Sequence, residues 1–389
     1  MVPSEIRQKL RAQMPVVSSC VYFDHAAVGP LTAAAGSAIA KWLDEAMSTG
    51  DLCWPRWHAA AETTRGTFAS MIRCGPDEVA LIPNTTFGIN VVANCFPWQA
   101  GDSVVVPTNE FPSNRLPWTL LAGRGVRVRD VEPGPSGQMD VERLLAAADD
   151  STRLIAVSWV GYASGYRVDL ASLIGAAHRR GIEVFVDAIQ GLGAFPLDVG
   201  GLGVDYLAAD GHKWMLGPEG AGFLYIAKRN LQKLAPMMAG WNSVRAGSDF
   251  DNRRVELKAS AAKYEGGSIN MVGFMGLGES LRTLADCGCG DPAGSFAESI
   301  LETTRHACES LRELGAIVHR DYAEDRGSGI VSFELRGRDP GEVRAACLRR
   351  SVICSVRHGR LRIAVHAYND RGDVDTLCDV LRDCRELKT

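Results

Sequence analysis

The segment 168-VDLASLIGAAHRRGIEVFVDAIQ-190 contains the two patterns that indicate an α/β fold. Its first part carries apolar residues at helical spacing and stops at Gly181, where a helix is expected to end. Its second part is a continuous apolar and β-branched run, without the alternation of a strand that has one face in water. Such strands are typical of a mostly parallel sheet that helices cover on both faces.

The same alternation extends from about residue 78 to residue 227. Strand-like runs there are separated by helical or turn-rich stretches; they are EVALIP, DSVVVP, VRVRDVE, RLIAVSWV, IEVFVDAIQ, DYLAAD and AGFLYI. We therefore predict an α/β protein whose large domain is built on a mostly parallel seven-stranded sheet. In such a sheet, ligands bind outside the carboxyl ends of the strands.

A chain of 389 residues is longer than one hydrophobic core usually becomes, so a second, smaller domain is expected. Two later runs, GIVSFEL and RLRIAV, resemble strands and stand among helical stretches, which is typical of an α+β unit. We predict a large domain over 20–250 and a small C-terminal domain over 251–389, with residues 1–19 packed against the small domain.

Charge and composition favour a small-molecule partner. The formal net charge is −4 and charged residues are spread along the chain, so no field gathers nucleic acid or a membrane surface. The start, MVPSEIRQKLRAQMP, carries charges where a secretory signal needs an apolar core. The 11 cysteines form no regular framework, and the Cys287 and Cys289 pair lacks further ligands at zinc spacing. We therefore predict a cytoplasmic protein without a metal site or membrane segment.

Three kinds of polar group are expected at one edge of the sheet. Asp187 follows directly on a buried strand, where a carboxylate needs a positive or hydrogen-bonding partner. Lys213, in 208-ADGHKWMLGPEG-219, follows another strand, and enclosure there would lower its pKa and free its amine to attack a carbonyl. In 81-LIPNTTFGIN-90 a strand passes into a helix at Thr85 and Thr86, which is typical of a phosphate site.

Each of these features also has an ordinary structural explanation. Asp187 could cap a helix or form a structural ion pair, and Asn84 could simply be an N-cap. Together, however, a lysine, a carboxylate and a phosphate site are what pyridoxal 5'-phosphate requires. The lysine forms a Schiff base with the aldehyde, the carboxylate holds the pyridine nitrogen protonated, and the helix start binds the phosphate.

The order NTT, VDAIQ, DGHKW and GPEG, with YFDHAAVGP near the start, resembles the class V aminotransferase family of fold type I pyridoxal-phosphate enzymes. This family includes cysteine desulfurases, selenocysteine lyases, kynureninase and isopenicillin N epimerase-like proteins. The resemblance runs from about Tyr22 to the last strand-like run. It implies a homodimeric pyridoxal-phosphate enzyme that acts on an amino acid.

The resemblance also implies roles for individual residues. Lys213 matches the Schiff-base lysine and Asp187 the partner of the pyridine nitrogen. The further cofactor contacts implied are Thr85, Thr86, Phe111, Tyr162, Gln190 and His212. Ser268 matches the residue that reaches the phosphate of the neighbouring subunit, which implies two shared sites. Arg362 matches the arginine that binds the substrate's α-carboxylate, for which guanidinium geometry is suited.

Two aromatic positions separate this chain from the desulfurases. Phe111, in 109-NEFPSNRLPW-118, stands where desulfurases carry a histidine, and phenylalanine can stack on a ring but cannot carry a proton. Tyr162 stands where desulfurases have an asparagine and kynureninase has a tyrosine. Asn114 takes the fourth place of kynureninase's F-P-T-D sequence and is predicted to bind substrate.

Further departures concern the thiol and the phosphate site. Desulfurases need a cysteine on a loop before the carboxylate-binding arginine, whereas Cys354 here lies in the apolar run 351-SVICSV-356 and is expected to be a buried strand residue. Asp210 replaces a desulfurase serine that faces the phosphate, so we expect it to point away or to bond a backbone group. His212 replaces the tyrosine that precedes the kynureninase lysine.

These features predict a lyase that acts through an external aldimine and an α-carbanion. It would cleave a C–S or C–C bond at the β or γ position of an amino acid, without a persulfide cysteine. The alternative is an aminotransferase or epimerase of the isopenicillin N epimerase-like type. A non-enzymatic binding module is the third possibility, but a binder has no need for the Schiff-base amine.

Overall fold

The computed structural model describes residues 1–251 and 254–386. The strands are β1 (Val21–Tyr22), β2 (Val79–Ile82), β3 (Ser103–Pro107), β4 (Arg127–Val131), β5 (Thr152–Ser158), β6 (Glu183–Asp187), β7 (Tyr206–Asp210), β8 (Gly222–Ile226), β9 (Ile317–Val318), β10 (Ile330–Glu334), β11 (Val352–Ile353), β12 (Ser355–Arg357) and β13 (Arg360–Ala364).

Helices flank these strands throughout the described chain. They are α1 (Pro3–Arg11), α2 (Ala33–Thr49), α3 (Trp54–Ile72), α4 (Thr85–Cys95), α5 (Leu116–Thr119), α6 (Val141–Ala147), α7 (Leu170–Arg179), α8 (Val199–Leu202), α9 (Met271–Asp286), α10 (Ser295–Glu313), α11 (Pro340–Arg349) and α12 (Arg371–Glu386). The helix predicted to end at Gly181 is α7, and Gly181 adopts a φ of 69° just after it.

The large sheet has seven strands in the order β2-β8-β7-β6-β5-β3-β4. Strands β3 to β7 pair with one another in parallel. Strand β8 runs antiparallel to both β2 and β7. The predicted mostly parallel, seven-stranded α/β architecture is therefore confirmed. All the strand-like runs between residues 78 and 227 form strands of this sheet.

The continuous apolar runs are explained by cores on both faces of the sheet. Along β6, Val184 and Val186 belong to one apolar layer, while Phe185 between them belongs to the layer on the other face. Because successive side chains of a strand point to opposite faces, a strand covered on both faces has no polar side. The last residue of β6, Asp187, is the polar exception at the carboxyl end.

The C-terminal part forms a four-stranded antiparallel sheet in the order β12-β13-β10-β9, and α10, α11 and α12 pack around it. The runs GIVSFEL and RLRIAV form β10 and β13. Helix α1 packs against α10 and β1 pairs in parallel with β11, whereas α9 packs against α2 and α3. The domain limits at residues 20 and 250 stay predictions.

The N-terminal loop packs tightly on the turn that carries Lys213. The backbone N–H of Gly29 donates a hydrogen bond to the His212 carbonyl oxygen at 2.6 Å. A Cβ atom at position 29 would lie 2.1 Å from the carbonyl oxygen of Lys213, so only glycine permits this approach. The segment YFDHAAVGP is thereby placed over the carboxyl edge of the large sheet.

Two fully buried histidines connect the small sheet to the same turn. His25 bonds the Ala364 carbonyl oxygen at 2.8 Å, and His366 bonds the Trp214 carbonyl oxygen at 3.0 Å. The Trp214 and His366 rings stack with centroids 5.7 Å apart. Because Trp214 follows Lys213 in the chain, this cluster supports the turn from behind.

We expect the buried histidines to make the protein less stable in acid. Burial lowers the pKa of His366 to about 4 and lowers that of His25 well below its ordinary value. Unfolded histidines titrate near about 6.5, so the unfolded chain takes up protons that the folded chain refuses. Stability is therefore fully present above pH ~6.5 and falls as the pH drops towards 4. For His366 alone the loss reaches about 3 kcal/mol.

Urea unfolding at several pH values between about 7 and 4.5 measures this slope. His366→Phe keeps an aromatic ring beside Trp214 but cannot take up a proton, so its slope should be shallower. The control is His58→Phe, which makes the same substitution at a histidine whose side chain is 44% exposed. Equal slopes for wild type and His366→Phe would show that the histidine does not cause the acid sensitivity.

Candidate active site

A cleft of about 450 Å³ lies at the carboxyl edge of the large sheet. The ends of β6 and β7, the start of α4 and the turn at Lys213 form its floor, while the N-terminal loop and the β12–β13 hairpin also line it. All the predicted site residues except Asn114 and Ser268 line this cleft. The rule that ligands bind at the carboxyl ends of strands predicted the edge of the sheet at which this cleft lies.

Lys213 and Asp187 are both buried in the floor of the cleft, at 9% and 3% exposure. Burial lowers the pKa of Lys213 to about 8, although the Asp187 charge opposes the shift. Burial raises the pKa of Asp187 to about 6, opposed by a 3.1 Å hydrogen bond from the Ile189 N–H. With a pKa of about 8, roughly a tenth of Lys213 is an uncharged, nucleophilic amine at pH 7.

The start of α4 has the features of an anion-binding site. Asn84 caps the helix by accepting a 2.9 Å hydrogen bond from the Phe87 N–H. The buried hydroxyl of Thr85 has no hydrogen-bond partner among the described residues, and the Thr86 hydroxyl donates to the Ser113 hydroxyl at 2.7 Å. An anion at this helix start would satisfy the Thr85 hydroxyl and the free N–H groups of the first turn.

Asp210 lines the cleft, and whether its carboxylate points away from a bound phosphate stays a prediction. Alternation along β7 puts Asp210 on the face of Ala208, and Ala208 packs close to Gly88 of α4. One Asp210 oxygen lies 3.1 Å from Nδ1 of His212, with alignment too poor for a hydrogen bond. The other Asp210 oxygen and this His212 nitrogen are buried without a hydrogen-bond partner in the described chain.

Gln190 is fixed by hydrogen bonds at both ends of its amide. Its nitrogen donates to the Ala26 carbonyl oxygen at 3.0 Å, and its oxygen accepts from the Trp214 indole N–H at 2.8 Å. Gln190 as a whole is 3% exposed and lines the cleft. The predicted contact with a ring hydroxyl stays a prediction.

Arg362, on β13, is held rigidly at the cleft wall with 1% exposure. Its guanidinium donates to the Tyr162 carbonyl oxygen at 2.8 Å, to the Ser355 hydroxyl at 3.1 Å and to Asp24 at 3.0 Å. A guanidinium has five N–H donors, so two remain for a ligand. The pairing with Asp24 was not foreseen from the sequence.

Aromatic side chains form another part of the wall. The Phe111 ring meets the Tyr162 ring edge-on, with centroids 5.3 Å apart and planes at 81°. The Lys213 amine lies 5.6 Å from the Phe111 centroid, so Phe111 borders the reactive end of the cleft. The Tyr162 hydroxyl lies 2.7 Å from Nε2 of His358, which joins the large domain to the β12–β13 hairpin.

The two remaining predicted residues lie elsewhere. Asn114 is fully buried and accepts a 3.0 Å hydrogen bond from the Trp118 indole, so the structure offers no support for its predicted substrate contact. Ser268 lines a separate cavity of about 640 Å³ together with Trp241. Its predicted contact with the phosphate of a neighbouring subunit stays a prediction.

Sequence reasoning missed a buried carboxyl behind the site. Glu110 accepts a 2.6 Å hydrogen bond from the Ser158 N–H and also bonds the Ser158 hydroxyl. Ser158 pairs with Asp187 in the sheet, and burial, reinforced by the Asp187 charge, raises the pKa of Glu110 to about 7. Glu110 follows β3 at the same edge of the sheet, so the strand-end rule could have found it.

Sequence reasoning also missed Arg357 and Ser113, which line the cleft. Arg357 stands between two strand-like runs close to Arg362, and this proximity was the available signal. No group of three or more histidine, cysteine, aspartate or glutamate side chains that could hold a metal ion occurs in residues 1–251 and 254–386. No helix within these ranges is both apolar enough and long enough to span a bilayer.

Comparisons with known proteins agree with this geometry. The family model "Aminotransferase class-V" matches residues 21–377. A probable cysteine desulfurase of Methanothermobacter thermautotrophicus is 31% identical over 97% of both chains. A cysteine desulfurase of Klebsiella pneumoniae is 31% identical over 71% of this chain and 67% of its own length.

Solved structures share the fold. The cystine C-S lyase C-DES, in complex with cysteine persulfide, superposes with a TM-score of 0.89 at 22% identity, covering 95% of this chain and 99% of its own. The cysteine desulfurase CsdA of Escherichia coli superposes with a TM-score of 0.86 at 25% identity, covering 100% of both chains.

The chain belongs to the aminotransferase class-V family. It is therefore a pyridoxal-phosphate-dependent enzyme of fold type I, and the predicted family, enzyme class and cofactor are confirmed. The residues present fit that cofactor. Within the described chain, the Thr85 hydroxyl and Nδ1 of His212 have no hydrogen-bond partner, which suits a phosphate, and the Lys213 amine shares the floor with the Asp187 carboxylate.

Proposed function

We propose that this enzyme cleaves a C–S bond at the β position of an amino acid, without passing sulfur to a cysteine of its own. One observation carries the proposal, which is that no thiol lines the cleft within the described chain. The names of the relatives at 31% identity, cysteine desulfurases, support a sulfur-containing amino acid as substrate. A thiol-free cleft favours direct release of the sulfur compound.

The cofactor would be held by residues already in place. Lys213 would attach to its aldehyde carbon, Asp187 would face the ring nitrogen, and Thr85, Thr86 and His212 would contact the phosphate. Phe111 and Tyr162 would border the ring, and Gln190 would approach its hydroxyl. When bound, pyridoxal phosphate supplies an electron-withdrawing ring that stabilises negative charge at the substrate's α carbon.

The chain's own groups orient the substrate and move its proton. Arg362 would bind the α-carboxylate with its two remaining N–H groups, because Asp24, Ser355 and Tyr162 already fix its plane. Lys213 would remove the α-proton, since the neighbouring Phe111 cannot carry one. The pKa of Lys213, lowered by burial to about 8, suits both accepting and returning a proton near neutrality.

Cys354 is unsuited to carrying sulfur. It is fully buried between β11 and β12, and the hairpin that follows turns through only two residues, His358 and Gly359. A hydrogen bond with Cys347, together with burial, raises the pKa of the Cys354 thiol far above its ordinary value. A buried, protonated thiol held between two strands is unsuited to attack a substrate in the cleft.

We further propose a homodimer. Ser268 lies outside its own chain's cleft, in keeping with a role in the site of a second copy. Large apolar side chains are exposed on the preceding segment; they are Met237, Met238, Trp241, Phe250 and Val255. Apolar side chains concentrated in this way are typical of a surface that another protein covers.

Product analysis tests the proposed reaction. Incubation with L-cysteine and with S-alkyl cysteine conjugates should release pyruvate together with sulfide or the corresponding thiol, without added keto acid. Alanine accompanied by a protein-bound persulfide would contradict the proposal. A requirement for a keto acid would identify an aminotransferase instead, and formation of the D-amino acid would identify an epimerase.

The cysteine variant belongs in the same assay. Cys354→Ala should keep turnover within about twofold, because the thiol touches no reacting group. Cys378→Ala is a matched control, since Cys378 is another buried cysteine of the small domain. If both variants fold and only the Cys354 variant loses turnover, the result would instead support persulfide transfer through Cys354.

A further inference from the structure

Three arginines share one face of the β12–β13 hairpin. Arg357 lies opposite Arg360, and Ser355 lies opposite Arg362. Directly opposite residues of antiparallel strands point to the same side, as do residues two apart on one strand. Arg357, Arg360 and Arg362 therefore project on the same side of the small sheet.

Two of these arginines have a carboxylate partner. Arg360 bonds Glu334 at 2.9 Å, and Arg362 bonds Asp24 at 3.0 Å. Arg357 has no carboxylate of the described residues within ion-pair distance, and its guanidinium donates to the Val356 carbonyl oxygen at 2.8 Å. Arg357 is also the one that lines the cleft beside Arg362.

The hairpin turn positions Arg357 firmly. His358 and Gly359 have φ values of 49° and 72°, the left-handed pair that a tight two-residue hairpin turn requires. The ring of His358 is bonded to the Tyr162 hydroxyl at 2.7 Å, so the turn is tied to the opposite wall of the cleft. Arg357 immediately precedes this anchored turn.

The charges around Arg357 favour an incoming anion. After burial, the nearby charges of Arg362 and Arg357 contribute to lowering the pKa of Lys213, so cations repel one another in this cleft. Asp187 and Asp210 offset this effect at Lys213, and Asp24 pairs with Arg362 at 3.0 Å. A partly buried cation without a counter-ion is energetically unfavourable. A ligand that supplies the anion removes this unfavourable energy and therefore binds more tightly.

We propose that Arg357 binds a second anionic group, carried by the side chain of the substrate. The enzyme would then prefer amino acids with a short acidic side chain over neutral analogues of the same shape. This inference rests on the proposed function, in which Arg362 takes the α-carboxylate. Arg357 acts as a specificity-determining residue, since a guanidinium can bind a planar acid through two parallel hydrogen bonds.

L-Aspartate and L-asparagine are suitable probes because they differ in charge but hardly in shape. Neither contains a C–S bond, so binding is measured separately from turnover. Each is titrated into the pyridoxal-phosphate-loaded full-length enzyme, and the dissociation constant is read from the change in cofactor absorbance. The variants are Arg357→Gln and the matched control Arg360→Gln, which removes a guanidinium from the same face outside the cleft.

The wild-type enzyme should bind aspartate at least about tenfold more tightly than asparagine, the difference expected for one charge-assisted contact. Arg357→Gln should bring the two constants together by weakening aspartate alone, and Arg360→Gln should keep the wild-type ratio. A wild-type ratio near one, or an equal loss for both ligands in Arg357→Gln, overturns the inference. If the inference fails but the cofactor spectrum is intact and still responds to amino acids, the proposed function stands. If the cofactor does not attach to Lys213, both the inference and the proposed function are wrong.

Discussion

Lys213→Ala should lower turnover by about a thousandfold or more, because one side chain supplies both the covalent attachment and the proton carrier. The same change should abolish the attachment of pyridoxal phosphate that borohydride makes permanent. Lys213 is enclosed in the cleft, and its pKa is lowered by burial to about 8, so its amine is available for both tasks. No other lysine lines the cleft within the described residues.

Mass spectrometry after borohydride reduction measures the attachment and locates it in the chain. Lys228→Ala is the control, because Lys228 is an exposed lysine following β8 of the same sheet. The control should carry the reduced cofactor at the wild-type level. Attachment that persists in Lys213→Ala, or that maps to another lysine in the wild type, would refute the assignment.

Asp187→Asn should lower turnover by about a hundredfold or more while leaving the cofactor attached to Lys213. An amide has no negative charge with which to hold the ring nitrogen protonated, so the ring withdraws electrons less strongly. The shape of the side chain is unchanged, and the hydrogen bond from the Ile189 N–H to the side-chain oxygen can persist. Chemistry should therefore fail although the cleft stays intact.

Two measurements separate this outcome from a folding defect. The borohydride-reduced Asp187→Asn protein should still carry the cofactor, and its steady-state kcat should fall. Asp130→Asn is the control, since Asp130 is a carboxylate on β4 of the same sheet that pairs with Arg115 at the surface. Wild-type turnover in Asp187→Asn would mean that the carboxylate does not serve the ring nitrogen.

The position of Asp210 shows what local reasoning leaves open. The sequence suggests only that a carboxylate should avoid a phosphate dianion. In the structure Asp210 lies in the cleft beside Nδ1 of His212, at 3.1 Å. Strand alternation decides the direction of this side chain, and the turn after β7 brings His212 beside it. Neither the face nor the neighbour can be read from the identity of the residue alone.

Glu110 and Asn114 illustrate a similar limit within one loop. The family resemblance predicted a substrate contact for Asn114, which is buried against Trp118 in the structure. The sequence analysis did not select Glu110, whose carboxyl lies behind Asp187. The loop after β3 makes a short helical turn before α5, and that turn decides which side chains point inward. Such a turn depends on packing against α4 and β5, which lie outside the motif in the chain.

The sequence by itself determined the seven strands, their edge and the positions of Lys213 and Asp187 at that edge. Periodicity, helix ends and strand ends are local properties, so neighbouring residues encode them. Only the tertiary structure decided that Asp24 neutralises Arg362 across 338 residues of chain, and that Arg357 is left without a carboxylate within the described chain. Those pairings depend on how the small sheet packs against the large one, and long-range packing leaves no periodic signal in the sequence.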